Sequence, residues 1–348
     1  MFGGIRMNID RLVVPFWEGG EVYDETIMLL SENGKLANAQ LFYKPEQILT
    51  VKSTDLKIEY KEGVDWEFRD GRITMIEGSS IPFMRKEDCH FYEKKDDDCF
   101  GAKDGGYVLY KTRGYFHKRQ LVVTYTHNDS FDFRIEKSSQ TALRRTKSML
   151  KNGEAIKICF YGDSITEGCD GSKAMGIEPF VPGWPSLFCE TLEKKYGSSF
   201  EIINTAVGGK RTDWGLECVE ERLANYKPDI AVVAFGMNDG TEKVHADVFR
   251  ENIKAMKERV LAKNKDTEFI FIATTLANPE SVFDGYQREY YDELVKCADD
   301  CDVVVNMTNI HSCLLERKRF IDMTGNNINH PNDFLIRIYA QAMLSTLL

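Results

Sequence analysis

The chain of 348 residues is expected to be an α/β protein, a doubly wound parallel five-stranded sheet preceded by an all-β sandwich or jelly-roll domain. Two textures predict this. Up to about Glu136, short β-type runs alternate with turn residues and no long segment carries a helical apolar period, which is the pattern of an antiparallel sandwich. After Gly153, apolar runs too continuous for a half-exposed strand alternate with amphipathic segments. Strands buried on both faces and joined by helices have that pattern.

Taken in order, the β-type runs are RLVVPF (11–16), ETIMLL (25–30), AQLFY (39–43), ILTVKS (48–53) and LKIEY (56–60), followed by ITMIE (73–77) after the turn RDGR (69–72), then YVLYK (107–111) and QLVVTYTH (120–127). The basic stretch Lys137 to Lys151 is expected to be a connecting helix ending at Asn152-Gly153. This divides the chain into a β-sandwich at 1–136, a linker helix at 137–153 and an α/β domain at 154–348. In the last, the strand candidates are IKICFYG (156–162), FEIINTAV (200–207), DIAVVAFG (229–236), EFIFIATT (268–275) and DVVVNM (302–307). Helices are expected near 184–196, 213–226, 246–264 and 285–299, with a last one after Pro331.

Composition narrows the function classes. Hydrophobic residues at 43% and charged residues at 29% suit a globular protein, and a net charge of −10 gives no electrostatic attraction to nucleic acid or an anionic membrane. Neither is expected as a partner. Nine cysteines with no framework spacing point to a reducing compartment, and neither a signal-type apolar region nor a membrane-length run occurs, so a cytoplasmic protein is expected. Cys297, Cys301, His311 and Cys313 have spacings that match no common zinc site, and no metal or organic cofactor is expected.

In a doubly wound sheet, ligands bind beyond the carboxyl ends of the strands. The first strand candidate ends in Gly162-Asp163-Ser164-Ile165-Thr166-Glu167-Gly168, the second in Asn204-Thr205-Ala206-Val207-Gly208-Gly209, and the third in Gly236-Met237-Asn238-Asp239; near the C-terminus stands Asn329-His330-Pro331-Asn332-Asp333. Each block alone is weak. Ser164 could merely cap a helix, Asn238 could be a turn residue, and His330 could mark a helix entry. Gly-x-Ser-x-Gly, P-loop and dinucleotide fingerprints are all absent from the sequence.

Together and in this order, the four blocks resemble those of the SGNH hydrolases of the GDSL esterase superfamily, over about Ile156 to the C-terminus. A β-sandwich ahead of such a domain is similar to the layout of some carbohydrate acetyl esterases. The resemblance implies Ser164 as nucleophile, His330 as its base, and an oxyanion hole made of the backbone N–H of Ser164, the backbone N–H of Gly209 and the side-chain amide of Asn238. It further implies hydrolysis of a short acyl ester, an acetyl group on a small molecule or oligosaccharide being the leading candidate. Lipase or thioesterase chemistry, and a non-catalytic carbohydrate-binding or interaction protein on a degenerate fold, are the alternatives.

One position departs from the family. Three residues before His330, where an aspartate usually orients the imidazole, stands Asn327. The alternatives are a Ser-His dyad oriented by Asn327 or a backbone carbonyl, a substitute carboxylate from Asp322 or Asp333, or reduced activity; the dyad is favoured. Asp163 is expected to organise the turn by local hydrogen bonds. Trp184 is a candidate pocket-lining residue, with a core position as its alternative. His245 and His311 have structural explanations, before a helix and after a strand.

Overall fold

A computed structural model describes residues 8–95, 98–133, 135 and 138–347. The domain boundary expected at 136–137 lies outside the described residues.

The second half of the chain carries five parallel strands, Ile156–Gly162, Phe200–Asn204, Ile230–Ala234, Glu268–Ala273 and Val303–Asn306, in the spatial order second, first, third, fourth, fifth. The first strand therefore lies between the second and third, and the order reverses beside it. A crevice forms where successive crossovers leave in opposite directions, so this reversal is the switch point at which such sheets bind ligands. Central strands such as Glu268–Ala273 are buried at every residue, which is why their sequence reads as an unbroken apolar run. Helices Trp184–Tyr196, Ala246–Lys263 and Asp333–Ser345 are the long elements packed around the sheet.

Three small β-sheets precede it. One is antiparallel, with Gln120–His127 between Glu21–Met28 and Pro45–Ser53 and with Glu59–Tyr60 at its edge. A second contains the hairpin Trp66–Arg69 and Arg72–Met75, whose turn residues Asp70 and Gly71 both have positive φ. The third joins His90–Phe91, Cys99–Gly101 and Tyr107–Leu109.

Two N-terminal expectations are corrected. RLVVPF is not a strand: Asn8 caps the short helix Ile9–Leu12 by accepting from the Asp10 amide, and Pro15 has no N–H for a ladder. In AQLFY only Ala39 belongs to a strand, because the amide of Phe42 donates to Glu25 Oε1 (2.9 Å) and that of Tyr43 to the Tyr125 hydroxyl (3.2 Å). Side chains have taken the place of a strand partner.

A single hydrophobic cluster runs from Val22, Ile27 and Phe42 of the N-terminal part to Ile158, Phe334 and Ile338 of the C-terminal part. Buried polar groups fasten the two together. Arg337 on the last helix donates to the carbonyls of Leu12, Tyr23 and Asp24, while Lys318 and Glu25, both fully buried, form an ion pair of 2.5 Å. Glu25 also accepts from the Tyr125 hydroxyl, and Lys318 donates to the Thr26 carbonyl, so neither charge depends on its partner alone.

Candidate active site

Ser164 is the first residue of a one-turn helix, Ser164–Glu167, that follows the first parallel strand directly. The cap of that helix is Asp163, whose Oδ1 accepts from the Ile165 amide at 3.0 Å. Relieved of capping, the Ser164 hydroxyl donates to His330 Nε2 at 2.8 Å. Burial pushes the Asp163 carboxyl up to about 7, against the opposing pull of its backbone hydrogen bond and of His330.

His330 sits on a tightly bonded loop. Asn326 Oδ1 accepts from the amides of Ile328, Asn329 and His330, while the His330 carbonyl accepts from the Gly325 amide and the Thr324 hydroxyl. The N-terminal sheet buttresses this loop from behind. Gln120 donates to the carbonyls of Ile321 and Thr324, and Asn332 donates to Thr26 and Gln120.

The other imidazole nitrogen, Nδ1, lies 2.6 Å from Asp170 Oδ2. A carboxylate can only accept, so Nδ1 carries the proton and Nε2 presents its lone pair to Ser164. Asp170 has φ 62°, a left-handed conformation that aspartate tolerates better than most residues. Its approach to the His330 loop also needs a glycine opposite, since a Cβ on Gly325 would come within 2.6 Å of Asp170 Cβ.

The expected orienting residue is thereby corrected. Asn327 does not face the imidazole: its Nδ2 donates to the Leu109 carbonyl at 3.1 Å, and its own carbonyl accepts from Asn278 at 2.8 Å. Neither substitute carboxylate is at the ring. Asp322 accepts from the amides of Met28 and Arg319, and Asp333 accepts from the Ser172 amide at the start of the last helix. Asp170 escapes the sequence reading because it lies two residues past the Ser164 block rather than near the histidine in the chain. The signal was an acidic residue between Gly168 and Gly171, just past a one-turn helix.

Gly209 turns in the left-handed region at φ 75°, which only glycine adopts without cost, and the neighbouring Gly208 amide donates to Glu167 Oε2 at 2.9 Å. Asn238 is the second residue of the short helix Met237–Thr241 after the third strand, and its Nδ2 donates one hydrogen to the Lys210 carbonyl at 3.0 Å. Gly209 and Asn238 line a cleft of about 470 Å³ together with Lys210, Trp214 and Phe283. Beside it, Thr212 donates through both its hydroxyl and its amide to the buried Asp239, tying the second crossover to the third.

Trp184 is not a pocket residue. It is fully buried, packs edge-on against Phe160 and flat against Tyr339, and its indole N–H donates to the Ile165 carbonyl. It therefore supports the turn that carries Ser164 from within the core. His311 is also buried, its Nδ1 accepting from the Leu276 amide, and burial lowers its pKa to about 3. His245 occupies the N-cap position of the helix Ala246–Lys263. Cys89, Cys159, Cys169, Cys189, Cys218, Cys297 and Cys301 are free thiols, and among the described residues no cluster of three or more His, Cys, Asp or Glu side chains is arranged for a metal ion.

The GDSL-like Lipase/Acylhydrolase family model matches residues 160–334. The chain is 25% identical over 143 residues to an arylesterase of Vibrio mimicus, covering 41% of this chain and 66% of the relative. It is 25% identical over 115 residues to esterase TesA of Pseudomonas aeruginosa, covering 33% of this chain and 53% of the relative. Each match thus spans less than two thirds of the relative's length. Among solved structures, a two-domain esterase active on acetylated mannans, crystallised with mannopentaose, superposes with a TM-score of 0.51 at 20% identity over 63% of this chain and 56% of the other.

Proposed function

The chain belongs to the GDSL-like lipase/acylhydrolase family, and from that premise we propose that it is a serine esterase that removes short acyl groups, acetyl above all, from a carbohydrate alcohol. The observation that carries this reading is the continuous relay from Asp170 through His330 to Ser164, at 2.6 and 2.8 Å. A serine hydroxyl is a weak nucleophile until a positioned base removes its proton.

In the proposed mechanism, Ser164 Oγ attacks the acyl carbonyl as His330 Nε2 takes the hydroxyl proton. Asp170 holds the ring and stabilises the imidazolium that forms. The oxyanion is met by three donors: the Ser164 amide, unpaired within its helix because it is the first residue, the Gly209 amide, and the Asn238 hydrogen not given to Lys210. Collapse of the tetrahedral intermediate expels the alcohol, which takes its proton from His330. Water, deprotonated by the same imidazole, then frees the acid and restores Ser164.

The carbohydrate part of the reading draws support from the esterase on acetylated mannans that shares the fold, and from a cleft that mixes aromatic and charged side chains. Long acyl chains would strand those charges. Against a non-catalytic role, which an asparagine at 327 would favour, stands the carboxylate that Asp170 brings to His330. Seven free thiols, four of them buried, support a reducing, cytoplasmic setting. Hydrolysis of 4-nitrophenyl acetate and of acetylated oligosaccharides, with Ser164→Ala as control, tests the proposal. Turnover by wild type and none by the variant is expected; equal turnover by both overturns it.

A further inference from the structure

We propose that Tyr110, Phe100 and Phe283 form the wall on which the pyranose ring of the leaving alcohol lies, and that Asn327 fastens the hairpin bearing two of these rings to the catalytic loop. The inference rests on the esterase reading and names the part of the site that selects its alcohol.

The three rings make a continuous strip. Phe100 lies 4.9 Å from Tyr110 and 4.7 Å from Phe283, centroid to centroid. At one end, Phe283 lines the cleft that holds Gly209 and Asn238. At the other, Tyr110 follows Leu109, whose carbonyl accepts from Asn327 on the His330 loop at 3.1 Å. The strip therefore runs from the oxyanion side of the site along the hairpin that Asn327 holds. Val108, Ala102 and Ile328 back it as a buried apolar layer, yet all three rings remain only half-buried. A contiguous strip of partly exposed aromatic rings running up to a cleft suits a binding surface.

The cleft that Phe283 borders is largely charged, with Lys210, Arg211, Asp213, Glu217 and Glu242. A pyranose ring matches both surfaces, because it has a C–H face for an aromatic wall and a rim of hydroxyls for charged hydrogen-bonding groups. An acyl chain satisfies only the first. An anionic alcohol would meet the three carboxylates.

Phe100 and Tyr110 come from the N-terminal sheet, and the polar bonds that dock them are specific. Asn327 donates to the carbonyl of Leu109, the residue before Tyr110, and holds Asn278 through its own carbonyl. Its φ of 66° suits asparagine, and an aspartate there could not donate to Leu109. Lys103 pairs with Asp284 next to Phe283, and Ala102 bridges to Ser281. The residue that departs from the family's triad pattern thus serves to hold a substrate wall.

The test compares kcat/KM for methyl tetra-O-acetyl-glucopyranoside with that for triacetin, an acetyl ester of an acyclic triol. Phe100→Leu and Phe283→Leu keep apolar bulk but lose the aromatic face, and each is expected to lower the pyranoside-to-triacetin ratio by about five- to tenfold, mainly through KM. Asn327→Ala is expected to lower the ratio in the same direction. If it fails to fold, the two leucine variants carry the test. Equal changes on both esters, or none on either, overturn the proposal while leaving the esterase reading intact. Hydrolysis of neither ester by wild type overturns the esterase reading, and this inference with it.

Discussion

Asp170 and His330 are separated by most of the catalytic half of the chain, yet Asp170 Oδ2 lies 2.6 Å from His330 Nδ1, with the two side chains only 6% and 15% exposed. A short, water-poor contact between a carboxylate and an imidazole fixes both the tautomer and the direction of the ring.

Asp170→Asn keeps the volume and removes the charge, so kcat should fall by about 1,000-fold or more while KM changes little. Asn327→Asp should bring no gain in kcat at neutral pH, because its side chain does not reach the imidazole. Steady-state kinetics on 4-nitrophenyl acetate across pH decides between them. A gain from Asn327→Asp together with a mild effect of Asp170→Asn would reverse the assignment.

Asn238→Ala should lose turnover rather than affinity, since its free amide hydrogen acts on charge that appears only in the transition state. The expected loss in kcat is on the order of 100-fold or more. A raised KM at constant kcat would make Asn238 a ground-state binding residue.

Gly325→Ala should act at a distance on catalysis. The added methyl would sit 2.6 Å from Asp170 Cβ and 2.9 Å from its carbonyl oxygen, which forces the carboxylate away from His330. A displacement of about 1 Å in such a positioning group can cost about 100-fold in rate. Wild-type turnover by this variant would show that the Asp170 loop adapts.

Asp163→Asn concerns stability. Asp163 has a folded pKa raised by burial to about 7, against roughly 3.9 in the unfolded chain. The folded state therefore holds its proton more tightly, and the wild type loses stability as pH rises from about 4 to about 7. Asparagine can still accept from the Ile165 amide but does not titrate. Melting temperatures should show the variant gaining on the wild type across that window and level above it; parallel curves would rule out titration of Asp163 there.

Lys318→Met should destabilise the fold by about 3–5 kcal/mol, because it leaves Glu25 charged and unpaired in the core. Adding Glu25→Gln should restore much of the loss. Urea denaturation of both single variants and the double variant measures the coupling, and strictly additive effects would dissolve the pair.

The sequence by itself determined the parallel sheet and the blocks at its strand ends. Strands buried on both faces must read as apolar runs, and ligand-facing groups follow such strands; Ser164, Gly209 and Asn238 stand at those ends, and together with His330 they are singled out only by the resemblance of their four blocks to a known family. In the N-terminal part the pattern misled at RLVVPF and AQLFY, where Asn8, Glu25 and Tyr125 supply backbone hydrogen bonds that no local periodicity encodes. Only the tertiary structure decided the roles of Asp170, Asn327 and Trp184. Each depends on where a side chain points after distant segments close together: Asp170 turns to His330 through a left-handed backbone opposite a glycine, Asn327 turns away to Leu109, and Trp184 turns into the core against Tyr339. Spacing along the chain fixes which residues can lie at a strand end. Direction in space is fixed by packing between segments, and sequence periodicity carries no record of it.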